Sequence, residues 1–183
     1  MIFAGLALIS NGQSFTLSKS GTKVLIKGTS SLHDWEMTLN VINVDLQAKR
    51  EGSVLKSIDN VSVSCKATDL KSESNLMDKK AYEALKSDAF PVIKFVSTSI
   101  SGLVVEDKKF KGNVTGKLNV AGIEKVVTIP FNGTLTDAKT FNVTALTDIS
   151  MANYKMVSPT AMMGALKTGD KITVSFELQF IQQ

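Results

Sequence analysis

The stretch KITVSFELQFI, residues 171–181, decides the fold of this chain. Apolar side chains occupy every second position in it, namely Ile172, Val174, Phe176, Leu178 and Phe180. Successive side chains of a strand point to opposite faces, so one face of this strand is buried and the other is solvated. The same alternation recurs along most of the chain, and it predicts an antiparallel sheet that curls over an apolar interior.

Eight segments carry a strand pattern, and turn residues separate them. They are residues 23–28, 35–46, 58–66, 92–101, 110–120, 125–135, 140–149 and 171–181. In the second segment the apolar positions shift by one after Val41, to Ile42 and Val44, which predicts a bulge or sharp coil there. Eight antiparallel strands can close into a barrel, and its interior either fills with side chains or holds one small ligand. The expected fold is therefore mainly β, an eight-stranded antiparallel barrel.

One helix interrupts the strands, after the third of them. Asn75 is a plausible N-cap, and residues 76–85 place apolar side chains between charged ones. Pro91 ends the region, because the residue before a proline avoids helical dihedral angles. Ser158-Pro159 followed by Thr160–Leu166 predicts a second, short helix with proline in its first turn.

The first nine residues are all apolar or glycine, and a small polar stretch follows them. This pattern is typical of the core and cleavage region of a secretory signal peptide, although no basic residue follows Met1. The alternative is a first strand or an ordered apolar arm. We expect residues 1–13 to be a shortened signal peptide or an apolar arm, and residues 14–183 to form a single domain. No other segment approaches the ~18 apolar residues that span a bilayer, so stable membrane insertion is not expected.

Charge and cysteine content narrow the function classes. The chain has 21 basic and 17 acidic residues, for a net charge of +4. The lysines are scattered rather than clustered with aromatic residues, which argues against nucleic-acid binding. The single cysteine, Cys65, cannot form an internal disulfide. It shares a strand face with Val61 and Val63 and is expected to be a small buried hydrophobe.

Catalytic and metal-binding patterns are missing from the sequence. The one histidine, His33, lies beside Asp34, and a histidine-based metal site would need further nitrogen or sulfur ligands. There is no nucleophile elbow of the G-x-S-x-G type. We expect no enzyme, no metal and no cofactor. His33 is interpreted as a polar residue that satisfies backbone groups, with a role at a cavity mouth as the alternative.

The remaining signal is apolar. Methionine is flexible and suits surfaces that adapt to variable apolar partners. Core packing explains any single methionine, but five of them flank the two predicted helices: Met77, Met151, Met156, Met162 and Met163. Helices over one end of a barrel would form a lid or gate.

Several motifs resemble those of YceI-like proteins, in the same order. They are Gly28–Trp35, the helix from Met77 to Leu85, Phe90-Pro91-Val92-Ile93-Lys94-Phe95, the hairpin Gly116–Val127, the block Met151–Pro159 and Gly169–Ile172. Asn119 and Glu124 stand where the family has threonine. The similarity spans about residues 15–181, and it implies a lipocalin-like barrel with an inserted helix, secreted or periplasmic. Family members hold isoprenoid chains, such as polyprenyl phosphates or quinones, or fatty-acid derivatives.

The expected function is therefore that of a non-catalytic binding or carrier protein with a long apolar ligand in the barrel. The residues expected in the lumen are Trp35, Met37, Met77, Tyr82, Leu85, Phe95, Phe131 and Phe176. Those expected at the mouth are Ser30, Ser31, His33, Lys79 and Lys80, where either lysine can meet an anionic head group. Two alternatives stay open: a filled-core envelope or stress-response protein that acts through its surface, and a small lipid-modifying enzyme. A homodimer is also left open.

Overall fold

The computed structural model describes residues 12–39, 41–51, 54–161 and 166–183. Within them lie twelve strands: β1 (Gln13–Leu17), β2 (Lys23–Ser30), β3 (Trp35–Leu39), β4 (Asn43–Glu51), β5 (Val54–Lys66), β6 (Leu70–Lys71), β7 (Val92–Glu106), β8 (Lys109–Val120), β9 (Ile123–Leu135), β10 (Thr140–Ser150), β11 (Thr160–Ala161) and β12 (Leu166–Gln182). The helix α1 spans Asn75–Leu85, and short 3₁₀ turns span Ala67–Asp69 and Ala152–Tyr154.

Eight strands form a closed antiparallel ring, in the order β1-β4-β5-β7-β8-β9-β10-β12, with β12 returning to β1. Closure depends on the short β1, which pairs Phe15 with Leu46 of β4 and Leu17 with Phe180 of β12. Beyond β1, β2 continues beside β12, and β3 pairs with β2. Thus β1–β2 and β3–β4 each act as one interrupted strand. The predicted mainly β, eight-stranded antiparallel barrel is confirmed.

The break between β3 and β4 falls where the sequence predicts that the apolar positions shift by one residue. Met37 and Leu39 precede the break, Val44 and Leu46 follow it, and all four side chains face the barrel interior. In an uninterrupted strand, either Met37 and Leu39 or Val44 and Leu46 would point outward, because side chains alternate between the two faces.

The helix α1, predicted over residues 76–85, begins one residue earlier and ends at Leu85 as predicted; it comes after β5, the third long strand, and the two-residue β6. Its N-cap is Ser74 rather than the predicted Asn75. The backbone of Ser74 is extended, with φ −127° and ψ 115°, and its side chain accepts a hydrogen bond from the Met77 amide. Serine and asparagine are both capping residues, so composition alone does not distinguish neighbouring candidates.

The second predicted helix, Thr160–Leu166, is wrong at both described ends. Thr160 pairs with Lys167 and Ala161 pairs with Leu166, so the ends form a hairpin between β11 and β12. Residues 162–165, which include Met162 and Met163, lie outside the described residues. So short a helix gains little stability by itself, whereas pairing with β12 satisfies the backbone directly.

The amino-terminal prediction is largely outside the described residues, which begin at Gly12. A signal peptide or apolar arm over residues 1–13 stays a prediction. β1 begins at Gln13, one residue before the expected domain boundary. No helix in the described part of the chain is long and apolar enough to cross a membrane.

Five phenylalanines close one end of the barrel, and we call them the aromatic plug. Phe141 is fully buried at its centre, with its ring centroid 5.0 Å from Phe15, 5.1 Å from Phe180 and 5.8 Å from Phe110. Phe131 completes the group, 6.4 Å from Phe110. Edge-to-face and offset ring contacts of this kind add to the stabilisation from burial.

The opposite end of the barrel is capped differently. There α1 packs on a cluster that includes Met37, Leu39 and Cys65. Met151, Tyr154 and others form a second cluster beside it. The turn after β2 and the start of β12 meet at this end, since the Ser31 amide donates to the Lys167 carbonyl at 2.9 Å.

Candidate ligand-binding cavity

A cavity of about 540 Å³ runs inside the barrel from the aromatic plug to α1. Strand alternation builds its walls: the decisive stretch contributes Ile172, Val174, Phe176, Leu178 and Phe180. The side chains that alternate with them are absent from the wall. Away from the mouth the wall is almost entirely Val, Ile, Leu, Met and Phe. The interior is therefore a lumen and not a filled core.

Most of the residues expected in the lumen lie in its wall. Seven of the eight line the cavity: Trp35, Met37, Met77, Leu85, Phe95, Phe131 and Phe176. Met151 and Met156, beside the mouth, also line it. Their contact with a ligand stays a prediction.

Tyr82 lies outside the cavity wall, at the anchor of α1. Its hydroxyl donates to the backbone oxygens of Leu70 at 2.8 Å and Thr68 at 3.0 Å. Lys71 Nζ lies 5.2 Å from the centroid of the Tyr82 ring. A tyrosine needs a polar partner for its hydroxyl, and here the backbone around β6 supplies it.

Asp78 completes this anchor. It is buried, and its Oδ1 accepts hydrogen bonds of 2.7 Å from both the amide and the hydroxyl of Ser72. Its Oδ2 lies 3.5 Å from Lys71 Nζ. Burial acts to raise the pKa of the Asp78 carboxyl, but the bonds from Ser72 and the charge of Lys71 outweigh it and lower the pKa. An ionised Asp78 thus holds α1 over the barrel end.

Two aromatic rings in the wall pack closely against glycines. A Cβ on Gly116 would lie 2.5 Å from the ring of Phe95, and one on Gly112 would lie 2.9 Å from the ring of Phe131. Both glycines are on β8, the neighbour of β7 and β9. Without a side chain at these positions the rings rest against the wall, and the lumen stays open.

Three of the residues expected at the mouth line it: Ser30, His33 and Lys80. Ser30 and His33 close a turn in which the Ser30 hydroxyl donates to the His33 carbonyl at 2.7 Å. The His33 ring donates from Nδ1 to the backbone oxygen of Asp34, also at 2.7 Å. His33 thus bonds a backbone group, as interpreted, and also lines the mouth. A role for His33 in ligand binding there stays a prediction.

Ser31 and Lys79 lie outside the cavity wall. The Ser31 hydroxyl accepts a hydrogen bond of 3.1 Å from the Lys167 amide, so Ser31 positions the start of β12. Lys79 is exposed on α1. The side chains of this helix that do face the cavity include Met77, Lys80 and Ala81.

Several wall residues were not expected from the sequence. Lys167 is a second lysine among the residues that line the mouth, and Leu32 and Leu76 line it while staying 66% and 62% exposed. For Leu32 the sequence did hold a signal, because it is an apolar residue in an otherwise polar turn, between Ser31 and His33. No sequence signal pointed to Lys167, because this residue directly follows the segment predicted to be a helix.

Cys65 lies in the cavity wall and is buried, as expected. Burial, and secondarily the charge of Asp69, raise the pKa of its thiol to about 11. The thiol is therefore neutral at physiological pH and adds no charge to the lumen. Among the described residues, no three His, Cys, Asp or Glu side chains lie close enough together to hold a metal ion.

These features define a closed antiparallel β-barrel with an apolar lumen, a plugged end and a helix at the open end. The chain matches the sequence profile of the YceI-like domain over residues 13–180, and it belongs to that family. No curated protein sequence matches it.

Solved structures share the fold at low sequence identity. BcnA from Burkholderia cenocepacia has a TM-score of 0.70 at 15% identity, over 89% of this chain and 98% of that one. A polyisoprenoid binding domain from Saccharophagus degradans, implicated in plant cell wall breakdown, has a TM-score of 0.69 at 12% identity, over 93% and 99%. The YCEI protein of Campylobacter jejuni has a TM-score of 0.62 at 16% identity, over 80% and 84%.

Proposed function

We propose that the protein binds one long apolar lipid, of isoprenoid, quinone or fatty-acid type, with its tail in the lumen. The observation that carries the proposal is the apolar cavity of about 540 Å³. Burial of a hydrocarbon tail is worth roughly 0.8 kcal/mol per CH₂, so a tail needs little polar help to bind tightly. The Saccharophagus degradans domain of similar fold is described as polyisoprenoid binding, which supports the same class of ligand.

The polar groups at the mouth favour a head group with anionic or hydrogen-bonding oxygens. Lys80, Lys167 and His33 line this end, and few polar groups lie deeper. Lys80 is also paired with Glu83 at 2.9 Å, so part of its charge is already neutralised. Orientation and specificity in apolar pockets come from a few such groups.

The test is native mass spectrometry of protein purified without detergent, followed by solvent extraction and identification of released lipid. We expect one lipid per chain, either copurified or added as a polyprenol, a quinone or a fatty acid. A protein that is empty and ignores all three classes would contradict the proposal.

A matched pair of variants locates the bound lipid. Ala145 lines the cavity between its cross-strand partners Phe131 and Phe176, whereas its neighbour Thr144 is exposed on the outer face of β10. Ala145→Phe is expected to abolish binding by filling the lumen, and Thr144→Phe to leave it unchanged. Undiminished binding by a folded Ala145→Phe variant would place the lipid elsewhere.

We further propose that the protein is a carrier without catalytic activity and that it works in the periplasm or outside the cell. The His33 ring is engaged with a backbone oxygen, which suits a structural role better than a catalytic one. The apolar residues 1–9 support export. Cell fractionation tests the location.

Incubation of the protein with lipid tests the absence of catalysis. The lipid is expected to stay chemically unchanged after long incubation, and turnover that is lost in His33→Ala would favour the enzyme alternative. A homodimer stays a prediction.

A further inference from the structure

Three large apolar side chains are exposed at the open end of the barrel. Val157 is 80% exposed, and together with Leu32 and Leu76 it is among the four most exposed large hydrophobic residues in the described part of the chain. Exposed apolar residues scattered singly need no explanation, whereas a group of them in one place marks an interaction surface.

Three separate segments bring these side chains to the mouth of the cavity. Leu32 lies in the turn after β2, Leu76 in the first turn of α1, and Val157 between the second 3₁₀ turn and β11. Leu32 and Leu76 line the cavity, and so does Pro159, two residues after Val157. The Thr168 amide donates to the Pro159 carbonyl at 3.0 Å, which ties this segment to the start of β12. We call Leu32, Leu76 and Val157 the apolar rim.

A lysine accompanies each residue of the apolar rim. The four lysines concerned are Lys79, Lys80, Lys155 and Lys167. The first two follow Leu76 by three and four residues, a spacing that puts them on the same side of α1. Lys155 is exposed two residues before Val157, and the backbone of Lys167 is bonded to the turn that carries Leu32.

Carboxylates near the rim offset part of this positive charge. Glu83 pairs with Lys80 at 2.9 Å and neutralises it. Asp170 lies further along β12, where a hydroxyl and a backbone amide donate to its oxygens. Asp34 and Glu73 are exposed. Within the described residues the other three lysines form no ion pair, so three ammonium groups stand against these two carboxylates.

A phospholipid membrane fits this end of the barrel better than a second copy of the chain. Apolar side chains flanked by lysines bind the membrane interface, because the apolar groups insert among the head groups while the lysines attract anionic lipids. Two copies that met at their rims would bring like charges together. A lipid tail that left the lumen through water would also lose about fourfold in its equilibrium for every exposed methylene.

We propose that the apolar rim and its lysines dock the open end of the barrel on a phospholipid membrane, with which the lumen exchanges its lipid. The choice of a lipid surface rests on the lipid-binding function proposed above, but docking fails separately from it. Protein that carries lipid in native mass spectrometry and ignores vesicles would refute docking alone. Protein that docks on vesicles and never carries lipid would refute the lipid-binding function.

Flotation of the full chain with vesicles measures docking. One set of vesicles is phosphatidylcholine alone, and the other contains roughly one-third phosphatidylglycerol. Partition into the anionic vesicles at low salt is expected to be at least about fivefold stronger than into the neutral ones, and to weaken at high salt. Protein that floats with neither set, or equally with both at every salt concentration, would overturn the proposal.

Lys79→Gln combined with Lys155→Gln removes two charges from the rim without altering the cavity wall. Partition into the anionic vesicles is expected to fall by on the order of tenfold. The control, Lys108→Gln with Lys139→Gln, removes two exposed charges from the turns before β8 and β10, at the plugged end. It is expected to cost less than about twofold, because the length of the barrel exceeds the Debye length of about 10 Å. Equal losses in the two double variants would overturn docking through the rim.

Leu76→Ser combined with Val157→Ser tests the apolar contribution. Partition is expected to weaken by at least about tenfold, with an unchanged molar mass in light scattering. Val104→Ser with Leu146→Ser, the control, removes an exposed valine and leucine from the outer faces of β7 and β10 and should leave partition unchanged. A wild-type dimer that binds no vesicles and that the rim variant dissociates would show that the rim joins two copies, and would overturn the proposal.

Discussion

Cys65 reports on the lumen at the scale of a single residue. It is the only cysteine, it lies in the cavity wall, and burial raises the pKa of its thiol to about 11. The sequence alone predicted the burial, because Cys65 shares a strand face with Val61 and Val63. The sequence does not show that this strand face borders a lumen, because apolar and polar residues alternate in the same way whether the barrel is filled with side chains or hollow.

Alkylation of Cys65 by iodoacetamide at pH 8 is expected to be about a hundredfold slower in the folded protein than in urea, because the reacting thiolate is depleted by the raised pKa. Bound lipid should slow it further. The raised pKa also implies that stability contributed by the neutral thiol is full below about pH 9 and is lost as pH rises through 11. Equal alkylation rates in folded and unfolded protein, followed by intact mass, would contradict the burial of Cys65.

Arg50 is a buried charge at the plugged end of the barrel. It is 7% exposed, and its Nη2 donates to the Asp137 carbonyl at 3.1 Å. Its Nε and Nη1 find no hydrogen-bond partner among the described residues. Nothing in the sequence indicates this burial, since an arginine beside Glu51 and Gly52 has the composition of a turn.

Arg50→Met keeps the apolar stem and removes the unpaired donors. It is expected to leave the free energy of unfolding unchanged or raise it by about 1 kcal/mol. Arg50→Ala, the control that also removes the stem, is expected to lower it by about 1–3 kcal/mol. Urea unfolding measures both variants, and a strongly destabilised Arg50→Met would show that the guanidinium is satisfied.

At the scale of elements, α1 depends on a polar anchor that periodicity does not reveal. The apolar pattern predicted residues 76–85 as the helix and the inward orientation of Met77 and Leu85. It also predicted, wrongly, that Tyr82 lines the lumen. Tyr82 instead bonds the backbone around β6, because a phenolic hydroxyl cannot be left unsatisfied in an apolar lumen. A hydroxyl partner on the backbone leaves no trace in the sequence.

Asp78→Asn is expected to destabilise α1 by about 1–3 kcal/mol at pH 6, because charge-assisted bonds from Ser72 and Lys71 are lost. In wild type, folding lowers the pKa of the Asp78 carboxyl. The stability that the ionised carboxylate contributes is therefore full above the ordinary pKa of 3.8 and is lost as the pH falls through the lower pKa of the folded state. The protection factors of the α1 amides, which correct for the slower intrinsic exchange in acid, should therefore fall in acid in wild type and depend less on pH in Asp78→Asn.

Glu83→Gln is the control on the same helix. Glu83 is exposed, and its partner Lys80 forms a surface ion pair that contributes little. We expect exchange of the α1 amides in Glu83→Gln to match wild type at pH 6. Equal effects of the two substitutions would mean that Asp78 does not anchor the helix.

At the scale of the whole molecule, closure of the barrel depends on β1. This five-residue strand bridges β4 and β12 with three register pairs on each side. The sequence predicts no strand over Gln13–Leu17, because alternation over so short a segment is weak and the apolar residues before it favour a signal peptide. The long strands were predictable because they repeat the pattern over many residues.

Phe15→Ala is expected to lower the free energy of unfolding by about 3–5 kcal/mol, since Phe15 is buried in the plug against Phe141. Thr16→Ala, on the outer face of the same strand, should change it by less than about 0.5 kcal/mol. Chemical denaturation compares them, and a small loss in Phe15→Ala would show that β1 contributes little to closure.

The central claim, that one lipid tail occupies the lumen, is tested most directly by NMR of the complex with oleic acid carrying ¹³C at its terminal methyl. The account predicts nuclear Overhauser effects from that methyl to the ring of Phe141 or Phe131 in the aromatic plug, and from the protons beside the carboxylate to residues at the mouth such as Lys80 and Lys167. Bound oleic acid whose methyl shows contacts only to outward-facing residues, such as Thr144, would contradict it.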